Sequence, residues 1–176
     1  MEYLRKKNSL EESLRRRRGI DVSLCYQCTK CTAGCPSSSY MEAPPHKIIR
    51  MIQLGLEKVL YLDSPWFCVS CLACSVRCPN GIEVSKVMDF LREESIKGGT
   101  ADKESEAFHR IFLDNVKNKG RINEVAFMGR FVMETGRIAK EMKWAIKSFF
   151  KGKFHLFPSK VKNMDHIKKI FLRCKV

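Results

Sequence analysis

Two stretches decide the reading of this sequence: Cys25-Tyr26-Gln27-Cys28-Thr29-Lys30-Cys31-Thr32-Ala33-Gly34-Cys35-Pro36 and Cys68-Val69-Ser70-Cys71-Leu72-Ala73-Cys74-Ser75-Val76-Arg77-Cys78-Pro79. Both follow C-x2-C-x2-C-x3-C-P, and the second repeats the first at a lag of 43 residues, Cys25 to Cys68. Eight of the nine cysteines fall in these runs. A cubane of iron and sulfide offers four iron corners, and each takes one soft thiolate. Cysteines two residues apart can wrap three corners, and the fourth follows a longer step before proline turns the chain away. This is the bacterial-type ligand run for [4Fe–4S] clusters, and two runs imply two clusters. In two-cluster proteins the fourth cysteine ligates the other cluster. The expected sets are therefore Cys25, Cys28, Cys31 and Cys78 for cluster 1, and Cys68, Cys71, Cys74 and Cys35 for cluster 2. A zinc site takes four ligands around one ion, commonly from two C-x2-C pairs; eight cysteines in matched runs with trailing prolines do not look like that.

Outward from the runs, the chain reads as helices. Residues 9–18 form a short helix with Glu11 and Glu12 at its positive end and Arg15 to Arg18 at its negative end; Gly19 stops it. The four arginines suit a solvated helix end or a protein-docking face, with an acidic-partner or nucleic-acid patch as the competing reading. Pro44-Pro45 opens a helix to about Leu54, with Ile48, Met51 and Ile52 on one stripe. A further helix from about Glu83 to Lys97 carries Val84, Val87, Met88 and Leu91 at i, i+3, i+4 and i+7. Gly98-Gly99 marks a boundary. Helices are also expected over 103–118, 123–135, 137–151 and 164–172, the stretch 138–150 being a basic amphipath with Ile138, Met142, Ile146 and Phe149 opposite its lysines. No stretch alternates well enough for a strand. The expected fold is all-α: an α-helical ferredoxin-like domain with two cubane clusters and a helical C-terminal extension. Its divisions are an N-terminal basic helix or arm (1–24), the two-cluster domain (25–99) and a basic docking extension (100–176).

Composition limits the function classes. The chain has 176 residues, is 44% hydrophobic and carries a formal net charge of +14. Residues 137–176 hold 12 basic and 2 acidic side chains, so the excess belongs to that end and concerns docking more than cluster chemistry. No apolar run approaches the ~20 residues of a spanning helix, and the first residues lack the apolar core of a secretory signal. Nine cysteines without an export signal point to metal ligation in a reducing compartment, hence to the cytoplasm. His46, His109, His155 and His166 are scattered, and no glycine-rich phosphate loop precedes a helix; no catalytic residue and no flavin or nucleotide site is expected in this chain. Cys174 stands alone and reads as an incidental thiol. Tyr26, Trp66, Phe67, Val69 and Leu72 are placed to shield the clusters, and Lys30 and Arg77 favour their reduced state.

The paired runs, the Pro44-Pro45 helix between them, the Trp66-Phe67-Cys68 approach and the segment Cys78-Pro79-Asn80-Gly81-Ile82-Glu83-Val84 together resemble the C-type iron–sulfur subunit of heterodisulfide reductase. The resemblance is strong over residues 20–100 and looser through to Phe157-Pro158. The cysteine runs alone are shared with iron–sulfur subunits of succinate dehydrogenase and glycolate oxidase types. The resemblance implies a non-catalytic electron-relay subunit in a hetero-oligomeric complex, with dimerisation allowed. Its two [4Fe–4S] clusters would link a flavin-containing A-type subunit to a B-type subunit that reduces the heterodisulfide of coenzyme M and coenzyme B. Two rival readings remain: an iron–sulfur subunit of a membrane-peripheral, quinone-linked oxidoreductase, motivated by the amphipath 138–150, and a free two-cluster ferredoxin, disfavoured by the length of chain past residue 100. Neither nucleic-acid binding nor membrane association is expected.

Overall fold

The structure is a computed structural model, and it describes residues 9–136, 161 and 163–174. Its elements are α1 (Ser9–Arg18), α2 (Lys30–Ala33), α3 (Pro45–Gln53), α4 (Ala73–Val76), α5 (Val84–Lys97), α6 (Lys103–Lys119), α7 (Glu124–Thr135) and α8 (Met164–Cys174), with short 3-10 turns at Val22–Leu24, Ser38–Tyr40 and Glu57–Tyr61. No strand occurs among the described residues, as the missing alternation predicts. The chain divides into two compact units, Met1–Asp102 and Lys103–Val176. The amphipath 138–150 and the Phe157-Pro158 region lie outside the described residues.

The first unit is built on apolar stripes converging from α1, α3 and α5. Pro45 opens α3 in its first turn, where a missing N–H costs nothing. Ile48 and Ile52 are fully buried as their spacing predicts, Ile49 joins them, and Met51 packs from the rim. On α5 the whole expected stripe of Val84, Val87, Met88 and Leu91 is buried, and Phe90 with it. Helix α1 adds Leu10 and Leu14 to the same core. Gly19 at φ +66° donates its N–H to the Arg15 carbonyl at 2.9 Å and ends that helix in a left-handed turn. All four arginines are exposed, as a solvated helix end requires, and three of them are also paired. Arg17 pairs with Glu94 and Glu93, Arg18 pairs with Glu93, and Arg15 pairs with Asp21 at 2.8 Å. The Arg17 guanidinium also lies 5.2 Å from the centre of the Phe90 ring. Three of the four arginines thus fasten the first helix to α5 and to its own exit.

The second unit is smaller at its centre. Helices α6 and α7 bury Ala107, Ile111 and Phe127. Phe108 meets Phe127 edge-on with ring centres 5.0 Å apart. Asn123 caps α7 by accepting the Ala126 N–H at 3.0 Å, while its own N–H donates to Asn115 Oδ1 at 3.0 Å. Gly120 (φ +77°) is where the chain passes beneath the last helix: a Cβ there would stand 2.8 Å from Met164 Sδ.

Candidate metal centre

The two cysteine runs fold as copies of one loop. In each, the residues on either side of the second cysteine adopt left-handed backbone: Gln27 (φ 62°) and Thr29 (φ 63°) in the first, Ser70 (φ 50°) and Leu72 (φ 64°) in the second. None is glycine, and each costs roughly 1–3 kcal/mol of backbone strain. Left-handed steps of this kind turn successive N–H groups to one concave side, a nest suited to anions and iron–sulfur clusters. One helical turn then carries the third cysteine, and the hydrogen bonds repeat. Thr32 N–H donates to the Thr29 carbonyl at 2.9 Å and Ser75 N–H to the Leu72 carbonyl at 3.0 Å. Cys35 N–H donates to the Thr32 carbonyl at 3.0 Å and Cys78 N–H to the Ser75 carbonyl at 3.3 Å.

Each loop is held by the helix that follows it. Gln53 on α3 donates Nε2 to the carbonyls of Val22 at 2.8 Å and Cys25 at 2.9 Å. Arg92 on α5 donates Nε to the Pro65 carbonyl at 2.9 Å and Nη2 to the Cys68 carbonyl at 2.8 Å. These carbonyls occupy the same positions relative to the two runs. The hydroxyl after each third cysteine repeats the pattern at the other end. Thr32 Oγ1 accepts the His46 N–H at 3.1 Å and lies 2.7 Å from His46 Nδ1. Ser75 Oγ accepts the Ser85 N–H at 3.3 Å and lies 3.0 Å from Ser85 Oγ. The unit therefore has a pseudo-two-fold axis between α2 and α4, which pack on each other.

Four of the cysteines share one cleft. Cys35 lines it with Cys68, Cys71 and Cys74, enclosed also by Met41, Pro45 and Met88. On the other side, Tyr26 lies beside Cys28, Cys78 and Cys25; desolvation first, then these sulfurs, pushes its phenol above the ordinary range. Asn80, just past Cys78, donates Nδ2 to the Leu24 carbonyl just before Cys25. That bond draws the end of the second run to the start of the first. Cys31 and Cys74 are the buried members, Cys71 is exposed and the other five are half-buried. Burial is the chief cause that pushes the Cys31 and Cys74 thiols up, and each gains from the repulsion of neighbouring sulfurs: Cys25 and Cys74 act on Cys31, and Cys68 acts on Cys74. Gln27 Nε2 donates to Cys25 Sγ and Ile82 N–H to Cys78 Sγ, both at 3.3 Å. Cys174 lies exposed on α8.

The aromatic and aliphatic side chains expected to shield the clusters do so only in part. Val69 and Leu72 line the cleft and remain 65% and 55% exposed. Gln53, Arg92, Thr32 and Ser75 are absent from the residues expected of the site. A signal for them exists in the sequence: Thr32 and Ser75 are separated by 43 residues, the lag of the cysteine runs, and Gln53 and Arg92 by 39, as are His46 and Ser85.

This donor set, eight thiols on two nest-forming loops with an apolar surround, fits [4Fe–4S] clusters. Residues 21–82 match the family described as 4Fe-4S dicluster domain. The chain is 35% identical over 78 residues to the second iron–sulfur C-type subunit of the CoB–CoM heterodisulfide reductase of Methanocaldococcus jannaschii, covering 44% of this chain and 42% of that one. It is 31% identical over 96 residues to the C-type subunit of the ferredoxin:CoB-CoM heterodisulfide reductase of Methanosarcina mazei, covering 54% and 60%. A protein of Archaeoglobus profundus, named as similar to the same heterodisulfide reductase subunit, is 36% identical over 70 residues, covering 39% and 37%. The matched part spans about half the length of these curated relatives. Residues 21–82 thus match a 4Fe–4S dicluster domain, with cysteines for two clusters, and over that part the chain is similar to the C-type subunits of heterodisulfide reductase.

Proposed function

We propose that this chain is the electron-relay subunit of a heterodisulfide-reductase-like complex, standing between a flavin-containing A-type subunit and a disulfide-reducing B-type subunit in the cytoplasm. Cys25, Cys28, Cys31 and Cys78 hold one cluster, and Cys68, Cys71, Cys74 and Cys35 the other. Residues 25–99 are the redox module, led by residues 1–24, and residues 100–176 supply docking surface. When bound, the clusters supply reversible one-electron transfer.

The observation that carries the reading is the cleft shared by Cys35 with Cys68, Cys71 and Cys74. It joins the last cysteine of one run to three of the other, as crossed ligation requires. The protein's own part is positional. Gln53 and Arg92 fix the lead-in to each run, and the single-turn helices α2 and α4, which carry Cys31 and Cys74, pack on each other. The names of the relatives support a place in a complex. Among the described residues no helix is long and apolar enough to cross a membrane.

The test is anaerobic purification from native cells with a tag on this chain. Iron and acid-labile sulfide should approach eight each per chain, and a flavoprotein and a second cysteine-rich subunit should co-purify stoichiometrically. Four irons per chain sink the two-cluster sets; a chain that runs alone with eight sinks the relay between subunits.

A further inference from the structure

At a pseudo-two-fold axis, equivalent positions approach each other. Gly34 and Arg77 are equivalent, each immediately before the fourth cysteine of its run. Arg77 lies across Gly34: a Cβ at position 34 would stand 2.8 Å from both Arg77 Cδ and Nη1 and 3.0 Å from Nε. The seam has room for one long side chain, and the glycine gives it. Gly34 has φ −98°, which any residue adopts, so its role here is space and not backbone freedom. Among the described residues no carboxylate pairs with Arg77, and no polar group is hydrogen-bonded to its guanidinium. One uncompensated positive charge therefore sits next to Cys78 along the chain and against the neighbour of Cys35 through space.

We propose that Arg77 is a shared electrostatic positioning residue that raises the reduction potential of both clusters together. The inference rests on the crossed ligand sets proposed above, in which Cys78 and Cys35 belong to different clusters. Reduction adds one negative charge to a cluster, and a nearby cation favours the reduced form. Lys30, the other basic residue within the runs, lies in the first run alone. Arg77 is exposed, so its field is screened by salt. Because it reaches both clusters it moves them in step, and so changes where the pair stands against its partners more than the drop between the two.

The experiment is an EPR-monitored redox titration of the anaerobically purified full chain, with iron and sulfide counted first. Arg77→Gln should lower both midpoints, each by about threefold in the reduced-to-oxidised ratio at fixed potential, which is about 30 mV for one electron. Arg77→Lys should restore most of that loss, and 1 M salt should erase the difference from wild type. Gly34→Ala keeps the charge but pushes the side chain off position 34, and should lower one midpoint while sparing the other. A fall in one midpoint alone for Arg77→Gln, or in neither, overturns the proposal. Should Arg77→Gln lose iron, Arg77→Lys and Gly34→Ala decide: a Gly34→Ala chain with both midpoints unchanged overturns it. Fewer than eight irons in the wild type would instead overturn the ligand sets, so the two failures are told apart.

Discussion

Arg92 Nη2 donates to the carbonyl oxygen of Cys68 at 2.8 Å from a side chain only 16% exposed. Its Nε holds the Pro65 carbonyl three residues earlier. A charged, largely buried fork thereby fixes the point from which the second run departs. Hydrogen bonds to charged groups contribute about 1.5–3 kcal/mol each and neutral ones about 0.5–1.5. Arg92→Ala should therefore release iron from the protein faster under chelator challenge than Gln53→Ala does. Loss of the visible absorbance band over time checks it, and equal rates for the two variants would break the assignment of Arg92 as the stronger tether.

Crossed ligation makes a pairing prediction. Cys35→Ser and Cys71→Ser should remove or convert the same cluster, and Cys28→Ser and Cys78→Ser the other. Low-temperature EPR of the four variants gives two spectra in two pairs. If Cys35→Ser matched Cys28→Ser instead, each run would hold its own cluster.

The first helix should matter through its apolar side. Leu14 is fully buried, and Leu14→Ala should destabilise the first unit by about 3 kcal/mol from lost transfer energy and the cavity left behind. The ion pairs of Arg17 and Arg18 are partly exposed and should matter far less. Chemical denaturation of Leu14→Ala against an Arg17→Ala, Arg18→Ala double variant checks the order.

Burial holds the Cys31 and Cys74 thiols above their ordinary range. In the cluster-free chain both stay protonated at a pH where an exposed thiol is partly ionised. Near pH 8, iodoacetamide should label Cys71 and Cys174 first and Cys31 and Cys74 last, as read by mass spectrometry. The linkage has a definite sign. A thiol raised on folding leaves stability intact below its unfolded value of about 8.5 and erodes it as pH rises toward the folded value. The apo chain should lose thermal stability in that alkaline window, and a Cys31→Ala, Cys74→Ala double variant should lose less.

The long periodic helices are legible in the sequence because burial writes itself into spacing: Val84, Val87, Met88 and Leu91 are all buried on α5. The two-cluster domain is legible because thiolate spacing is dictated by the metal group. The loops themselves are not. Gln27, Thr29, Ser70 and Leu72 take left-handed backbone without being glycine, asparagine or aspartate, so local propensity gives no hint; the cysteines beside them impose it. Single-turn helices such as Lys30–Ala33 are too short for periodicity to register. The Arg15–Arg18 run gives no hint of its ion pairs because the partners of Arg17 and Arg18, Glu93 and Glu94, stand more than 70 residues away.

The pseudo-two-fold axis has a consequence for how the two halves depend on each other. Gln53 and Arg92, Thr32 and Ser75, and the two pairs of left-handed residues each perform one task twice. Under the crossed ligand sets, a single half would own three ligands of one cluster and one of its twin's. Such a half could complete neither cluster alone, but two copies facing each other could complete both. The present domain has the form of two such halves joined in one chain, with Gly34 and Arg77 marking where they differ.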